Sequence, residues 1–283
     1  MALGVRKMQI NKDTTVCISI ALKPGNFGAT VQNAAYKALE MNYIYKPFGI
    51  EPADLPHIAK TIRAFKIKGC GVSMPYKMDV MKYIDKIDDN AKKIGAVNTI
   101  VNNNSLLEGY NTDYYGAKIA LEKMFNPKGK IVLIVGAGGA ARAISLALKE
   151  LGAKKIYITN RTPEKAEELA KEFGLETIKF SDIKNMKADL FVNATPVGMN
   201  PDADKMIIES SLLPNFKALL DVVTAPPETS LMKEAKKKGL TIIPGYVMSL
   251  YQSAKQFELY TGREAPLDVM KKSLIELLGI KNW

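Results

Sequence analysis

Lys77, in Gly71-Val72-Ser73-Met74-Pro75-Tyr76-Lys77, and Asp113, in Asn111-Thr112-Asp113-Tyr114-Tyr115-Gly116, are the residues of this chain whose types are best suited to chemistry. A lysine and a carboxylate beside a hydride carrier can move the proton that accompanies hydride to or from a carbinol. A carrier site is indicated by Gly136-Ala137-Gly138-Gly139-Ala140-Ala141, which follows the apolar run Ile131 to Val135 and opens the amphipathic run Ala143 to Leu151. A glycine pattern alone is weak evidence; the strand-turn-helix context gives it meaning. The glycines let the backbone turn sharply and approach a pyrophosphate, whose charge the following helix N-terminus stabilises.

About twenty residues further on, an NAD site carries Asp or Glu for the ribose hydroxyl. This chain has Asn160-Arg161-Thr162. A carboxylate there repels a 2′-phosphate, whereas Arg161 can grip one bidentately and Thr162 can donate a hydrogen bond. The residues therefore favour NADP(H) over NAD(H). Lys165, one turn on, reads as a solvent-exposed helix lysine.

Pro75 stiffens the passage that carries the Lys77 amine beyond the carboxyl edge of a first sheet, where open α/β sheets bind ligands. Asp113 stands at the junction between that first domain and the helix leading to a second. In one direction Lys77 protonates the developing alkoxide as hydride arrives, and in the other it accepts the alcohol's proton. On charge and position alone each reads as an exposed side chain; it is the motif match below that gives the pair a role.

The elements that position these residues alternate. Strands are expected at Thr14 to Ala21, Tyr43 to Gly49 and Gly69 to Ser73, and helices at Thr30 to Met41 and Ala53 to Phe65. A hairpin joins Asn98 to Val101 with Leu106 to Tyr110 through Asn102-Asn103-Asn104-Ser105. After a helix from Thr112 to Phe125, Asn126-Pro127-Lys128-Gly129 introduces strands at Lys130 to Val135, Lys155 to Asn160, Asp189 to Ala194, Ala218 to Val222 and Leu240 to Ile243. Helices are expected at Ala140 to Leu151, Pro163 to Phe173 and Ser230 to Lys238. Two closing helices, Tyr246 to Thr261 and Leu267 to Leu278, have no strand between them. The reading is α/β with two α/β domains: a mostly parallel substrate domain over residues 1–113 plus 247–283, and a Rossmann-type domain over 114–246. The closing helices return to the first domain.

At 283 residues, 47% hydrophobic and 24% charged, the chain has the composition of a soluble globular protein with room for two cores. Arg6, Lys7, Lys12 and Asp13 precede the first apolar run, so no uninterrupted signal-peptide core is expected, and no stretch is apolar enough to span a bilayer. A cytoplasmic location is expected. The net charge of +11 is spread over helix faces without aromatic interleaving, which argues against nucleic acid as a partner. Cys17 and Cys70 are read as buried free thiols, no metal site is expected, and His57, the only histidine, reads as an exposed structural residue.

Over essentially its whole length the chain resembles the shikimate dehydrogenase family. Gly71 to Lys77 resembles that family's Asn-Val-Thr-x-Pro-x-Lys. Gly95-Ala96-Val97-Asn98-Thr99 and Gly109-Tyr110-Asn111-Thr112-Asp113 match closely. So do Gly136 to Ala141, Asn160-Arg161-Thr162, Asn193 to Met199, and Gly245 with Met248 and Gln252 ahead of Phe257 to Gly262. The resemblance implies that Lys77 and Asp113 are a catalytic dyad. It implies that Asn98, Asp113 and Gln252 hydrogen-bond a polyhydroxylated ring acid, with Ser73 where a threonine usually touches substrate. It also implies that Met199 and Gly245 border the nicotinamide, with Thr195 and Met248 in the same cofactor site. The implied reaction interconverts a cyclic hydroxy acid and its 3-keto form with NADP(H).

The chain departs from the family at the substrate's carboxylate end. A Ser-x-Ser pair normally holds that group, and the corresponding stretch here is Asn26-Phe27-Gly28-Ala29-Thr30-Val31-Gln32-Asn33. The family's Asn before Val-Thr is Gly71, and its tyrosine after Asp221 is Thr224. Catalytic and cofactor positions are kept, a combination that resembles the divergent shikimate dehydrogenase-like branch. Shikimate itself is then expected to be a weak substrate. Asn26, Lys23 and the amides of Gly25 and Gly28 offer a different anion site, or form a plain glycine-rich loop. Two other readings stay open: a dehydrogenase of another small polar substrate, and an NADPH-binding sensor without catalysis. A monomer or homodimer is expected.

Overall fold

The computed structural model describes residues 10–281. Arg6 and Lys7, which enter the reading of the N-terminal stretch, lie outside the described residues. In chain order the first elements are β1 (Thr15–Ala21), α1 (Phe27–Ala38), β2 (Tyr43–Gly49), α2 (Ile58–Ala64), β3 (Gly69–Val72), β4 (Lys86–Ile87), α3 (Asp89–Ile94), β5 (Thr99–Asn103) and β6 (Leu106–Tyr110). There follow α4 (Thr112–Met124), β7 (Ile131–Val135), α5 (Gly139–Glu150), β8 (Lys155–Thr159), α6 (Pro163–Phe173) and β9 (Glu176–Thr177). The last are β10 (Leu190–Asn193), β11 (Ala218–Asp221), α7 (Ser230–Lys237), β12 (Thr241–Pro244), α8 (Gly245–Thr261) and α9 (Leu267–Leu278). They form two compact units: one runs to Tyr110 and resumes at Ser253, and the other is Asn111–Gln252.

The first unit is built on a sheet of order β2-β1-β3-β5-β6-β4. β1, β2 and β3 are parallel, while β5 runs antiparallel to both β3 and β6. Alternation along β1 sends Ile18 and Ile20 into a core with Ile62, Cys70, Val72, Val97 and Leu107. The other face of the same strand carries Cys17 and Ser19. α1 buries Val31, Ala35 and Tyr36, and α9 packs against it. α3 is fixed at both ends: the Asp88 carboxylate accepts from the Asn90 and Ala91 amides, and Gly95 closes the helix at φ 68°.

The second unit carries a six-stranded parallel sheet of order β12-β11-β10-β7-β8-β9. Strand order reverses between β7 and β10, the switch point at which doubly wound sheets bind dinucleotides. β7, β10 and β11 are buried along almost their whole length, as expected of strands covered on both faces. One face packs Leu133, Val135, Phe191 and Leu219 against Leu231 and Met232 of α7. The architecture is the two-domain α/β fold expected, with α8 running from the second unit into the first and α9 lying wholly in the first.

Several local expectations are corrected. The helix expected from Thr30 begins at Phe27, so Gly28 lies in a helical first turn and not in a loop. The single helix expected over Ala53 to Phe65 is a 3₁₀ turn, Pro52–His57, followed by α2. Pro56 has no amide hydrogen to donate to a helical ladder, which accounts for the break. β4, β9 and α3 were not anticipated; two of them are only two residues long. Both cysteines are buried and free, and His57 is exposed. Among the described residues no helix is long and apolar enough to cross a membrane, and no group of three His, Cys, Asp or Glu is placed to hold a metal.

Candidate active site

The nucleotide end of the site is built mainly from backbone. β7 delivers Gly136 at φ 118°, a conformation that L side chains rarely adopt, and a Cβ there would lie 2.8 Å from the Ala194 carbonyl oxygen and 3.1 Å from Thr195 Cγ2. Glycine is thus required twice over, by conformation and by close approach. Gly138 precedes α5 in extended backbone with open space around it, and the helix starts at Gly139, followed by Ala140 and the buried Ala141. The free amides of this first turn carry the positive end of the helix dipole.

Beyond the carboxyl ends of β7 and β8 lies a cavity of about 940 Å³. Asn160, Arg161, Thr195 and Val197 line it, and so do Lys179 and Phe180, which follow β9. Asn160 and Arg161 therefore join Thr195 in one space, as the motifs require. Asn160 Nδ2 donates to the Thr162 carbonyl at 2.9 Å, which fixes the turn; Arg161 and Thr162 are exposed. Lys179 and Phe180 are lining residues that sequence reasoning missed, because the two-residue strand before them leaves no periodic signal.

Thr195 is held by a buried polar network. Its Oγ1 donates to Asn193 Oδ1 at 2.6 Å and accepts from the Val197 amide at 3.2 Å. Asn193 Nδ2 donates to Asp221 Oδ1 at 3.0 Å, and Thr229 Oγ1 donates to Asp221 Oδ2 at 2.7 Å. Asp221 is fully buried, and burial pushes its carboxyl up to about 6 against the pull of the Thr229, Val223 and Asn193 hydrogen bonds. Next to it, Gly245 opens α8 in a confined place: a Cβ there would lie 2.5 Å from the Val222 carbonyl carbon. Met199, half-buried, follows in the Thr195 turn with its amide donating to the Pro196 carbonyl at 3.0 Å; Met248 is buried one turn into α8.

Asp113 lies in the first turn of α4, 8% exposed, behind the Asn111 cap whose Oδ1 accepts from the Tyr114 amide. Gln252 Nε2 donates to Thr112 Oγ1 at 3.2 Å, so Gln252 and the Asp113 turn are brought together. Gly116 makes the approach possible, since a Cβ there would sit 2.3 Å from the Met248 carbonyl oxygen.

In the first unit, Ser73, Lys77 and Asn98 converge through backbone bonds at the end of β3. The Val72 amide donates to the Asn98 carbonyl and the Val97 amide to the Lys77 carbonyl, each at 2.7 Å. The Ser73 amide donates to the Ile20 carbonyl at 2.9 Å. Ser73 is exposed, Lys77 half-buried and Asn98 buried. Asn98 Oδ1 accepts from Thr99 Oγ1 at 2.8 Å, and the buried Gln256 reaches both the Asn98 carbonyl, at 3.2 Å, and Thr99 Oγ1, at 2.9 Å. Gln256 was missed; its signal was its place one helical turn beyond Gln252. Asn26 caps α1 with an exposed side chain that makes no cap hydrogen bond. Lys77 belongs to the first unit and Asp113 to the second.

Three family models match in order along the chain: a shikimate dehydrogenase substrate binding domain over residues 27–100, shikimate / quinate 5-dehydrogenase over 118–213, and a shikimate 5′-dehydrogenase C-terminal domain over 245–275. The chain is 39% identical to a shikimate dehydrogenase (NADP(+)) of Desulforamulus reducens, across 94% of this chain and 96% of the relative. It is 38% identical to a shikimate dehydrogenase-like protein of Haemophilus influenzae, across 89% and 92%. A shikimate 5-dehydrogenase of Thermus thermophilus, solved in complex with NADP(H) and shikimate, superimposes with a TM-score of 0.85 at 31% identity, across 93% and 99% of the two chains.

Proposed function

The chain belongs to the shikimate dehydrogenase family, and from that premise we propose that it is an NADP-dependent oxidoreductase interconverting a shikimate- or quinate-like cyclic hydroxy acid and its 3-keto form. The observation that carries the cofactor half is the cavity in which Arg161 lies beside the Thr195 turn; Glu167 and Asp182 also line it, and the Asn160-Arg161-Thr162 turn at the end of β8 itself carries no carboxylate. Gly136, Gly138 and the first turn of α5, Gly139 to Ala141, cradle the pyrophosphate. Asn160, Arg161 and Thr162 hold the 2′-phosphate, and Thr195, Met199, Gly245 and Met248 line the path toward the nicotinamide.

The bound nicotinamide supplies or takes the hydride. Lys77 gives a proton to the carbinol oxygen in reduction and takes it back in oxidation, and Asp113 is the carboxylate that partners this lysine. Ser73, Asn98, Gln252 and Asn26 bind the substrate. The substrate role falls to residues 1–113 with 247–283 and the cofactor role to 114–246. Support comes from the ordered motifs and from placement: Ser73, Lys77 and Asn98 share one backbone-bonded edge, and Gln252 is tied to the Asp113 turn. Metal ions have no part in this reading.

The test is NADP⁺ reduction with a panel of cyclic hydroxy acids. Turnover is expected with NADP⁺ well ahead of NAD⁺, and Lys77→Ala is expected to lower kcat by roughly a thousandfold or more while NADPH binding persists. Unchanged turnover in that variant overturns the role of Lys77. Shikimate is expected to be among the weaker members of the panel, because the carboxylate end lacks the hydroxyl pair at positions 26 and 28.

A further inference from the structure

Lys179 and Phe180 line the cavity beyond the ends of β7 and β8, and no motif includes them. Phe180 is 43% exposed, and among the described residues of the second unit it is the one large apolar side chain left in that state. A single exposed apolar residue is ordinary on a protein surface. One on the wall of a cavity of about 940 Å³ has a flat face to offer a ligand.

Sheet register puts the pair beside the Arg161 turn. β8 and β9 are parallel, with Ile158 opposite Thr177, and the Ile178 amide donates to the Ile158 carbonyl at 3.0 Å. Continued two residues on, that register sets Lys179 level with Asn160, one strand spacing of about 4.8 Å away. Lys179 keeps extended backbone, and a 3₁₀ turn begins at Phe180. Phe180 and Arg161 are thus the next residues on the two sides, and both line the cavity. Arg161 and Lys179 are exposed, and neither enters an ion pair among the described residues. Glu167 of α6 and Asp182 line the same space. Two cations, two carboxylates and an aromatic ring around one cavity suit a purine nucleotide with an additional phosphate. The cations take the phosphate, a carboxylate accepts from the purine amine, and the ring lies against the base.

We propose that the residues leaving β9 form a second wall of the adenosine 2′-phosphate site, with the Phe180 ring stacked on the adenine and the Lys179 ammonium paired with the 2′-phosphate alongside Arg161. The inference rests on the NADP-dependent reading above and adds two binding residues to it. Adenine is common to both nicotinamide nucleotides, so Phe180 strengthens the binding of each. The 2′-phosphate belongs to NADP(H) alone, so Lys179 discriminates between them. Arg161 can grip the phosphate with two parallel hydrogen bonds, whereas Lys179 adds a point charge on a flexible stem, and its share is the smaller.

The experiment titrates the full chain with NADPH and with NADH, without substrate, and reads the change in nucleotide fluorescence. Phe180→Ala is expected to weaken both nucleotides about tenfold, the effect of one base stacked on an aromatic ring, and Phe180→Tyr to restore most of the loss. Lys179→Ala is expected to weaken NADPH about fivefold and NADH by about twofold at most, and added salt to shrink the NADPH difference. Both side chains are exposed, so the urea midpoint is expected to stay in place in all three variants. An NADPH affinity unmoved by Phe180→Ala or by Lys179→Ala overturns the inference, and so does a Phe180→Ala loss confined to NADPH. A wild-type preference for NADPH then leaves the NADP-dependent reading intact. Wild-type protein that binds neither nucleotide, or binds NADH ahead of NADPH, overturns both.

Discussion

The nucleotide end and the substrate end of the proposed site are made in different ways. In the second unit the decisive contacts are backbone on backbone: Gly136 against the Ala194 carbonyl, Gly245 against Val222, and the open amides at the start of α5. In the first unit side chains carry more of the contacts: Gln256 donates to Thr99 Oγ1, which donates in turn to Asn98 Oδ1, and the Tyr45 hydroxyl lies against Gly28 and Gly71. A backbone-made site tolerates almost no change of shape and recognises a group common to every dinucleotide. A side-chain-made site is altered one residue at a time, and this is the end at which the chain departs from its family's pattern.

The largest expected effects break the backbone-made half. Gly245→Ala places a Cβ 2.5 Å from the Val222 carbonyl carbon, where no flexible side chain can yield, and is expected to cost about 3 kcal/mol or prevent folding. Gly138→Ala, with nothing within 4 Å, is the control, expected to change the denaturant midpoint little.

Asp221 gives an effect of similar size that depends on pH. Its folded carboxyl is raised from 3.8 to about 6, so between those values the folded protein binds more protons than the unfolded chain. Stability is then expected to fall as pH rises from 4 to 6 by up to roughly 3 kcal/mol, and to stay at the lower level above. Asp221→Asn, which can still accept from Asn193 and the Val223 amide, is expected to flatten that part of the profile in urea unfolding at fixed pH steps. A profile unchanged by this substitution counts against burial as the cause.

Arg161→Ala probes recognition at the nucleotide end without strain. Loss of a charge-assisted bond of roughly 2 kcal/mol is expected to weaken NADPH binding about thirtyfold and leave NADH binding nearly unchanged, as read by nucleotide fluorescence. Equal losses for both nucleotides sink the 2′-phosphate assignment.

At the substrate end a double-mutant cycle sharpens the contrast. Gly71→Ala is expected to destabilise by about 1–3 kcal/mol with Tyr45 present, and by about 1 kcal/mol less in Tyr45→Phe, because the oxygen that forbids the methyl group is gone. Additive effects show that Tyr45 is not what requires glycine. The smallest effect belongs to exposed His57, where replacement by Ala is expected to stay within about 0.5 kcal/mol by thermal unfolding.

Much of the fold was legible because long amphipathic or apolar runs carry a period. α6 and α9 fall at the expected bounds, and β2 does too. β4 and β9 were not legible: two residues make no pattern, and their pairing depends on the neighbouring strand. The helix start at Phe27 was hidden by Gly25 and Gly28, which read as loop; a Cβ at Gly28 would lie 3.3 Å from the Tyr45 ring, whereas Gly25 has open space around it. Within the site, the glycine turn and Asn160-Arg161-Thr162 were readable from adjacent residues. Gln256, Lys179 and Phe180 were not.

The amino-acid sequence by itself determined the two α/β halves, the dinucleotide turn, the cation at the end of β8 and the motifs around Lys77 and Asp113, because each depends on residues a few positions apart. Only the tertiary structure decided what surrounds the Tyr45 hydroxyl in the first unit. Ser19, Gly28, Tyr45, Gly71 and Gln256 come from three strands and two helices, and their shared space exists only once the first unit's sheet is in register. Local chain stereochemistry writes the first kind of information into neighbouring letters, whereas close packing creates the second between letters that are far apart.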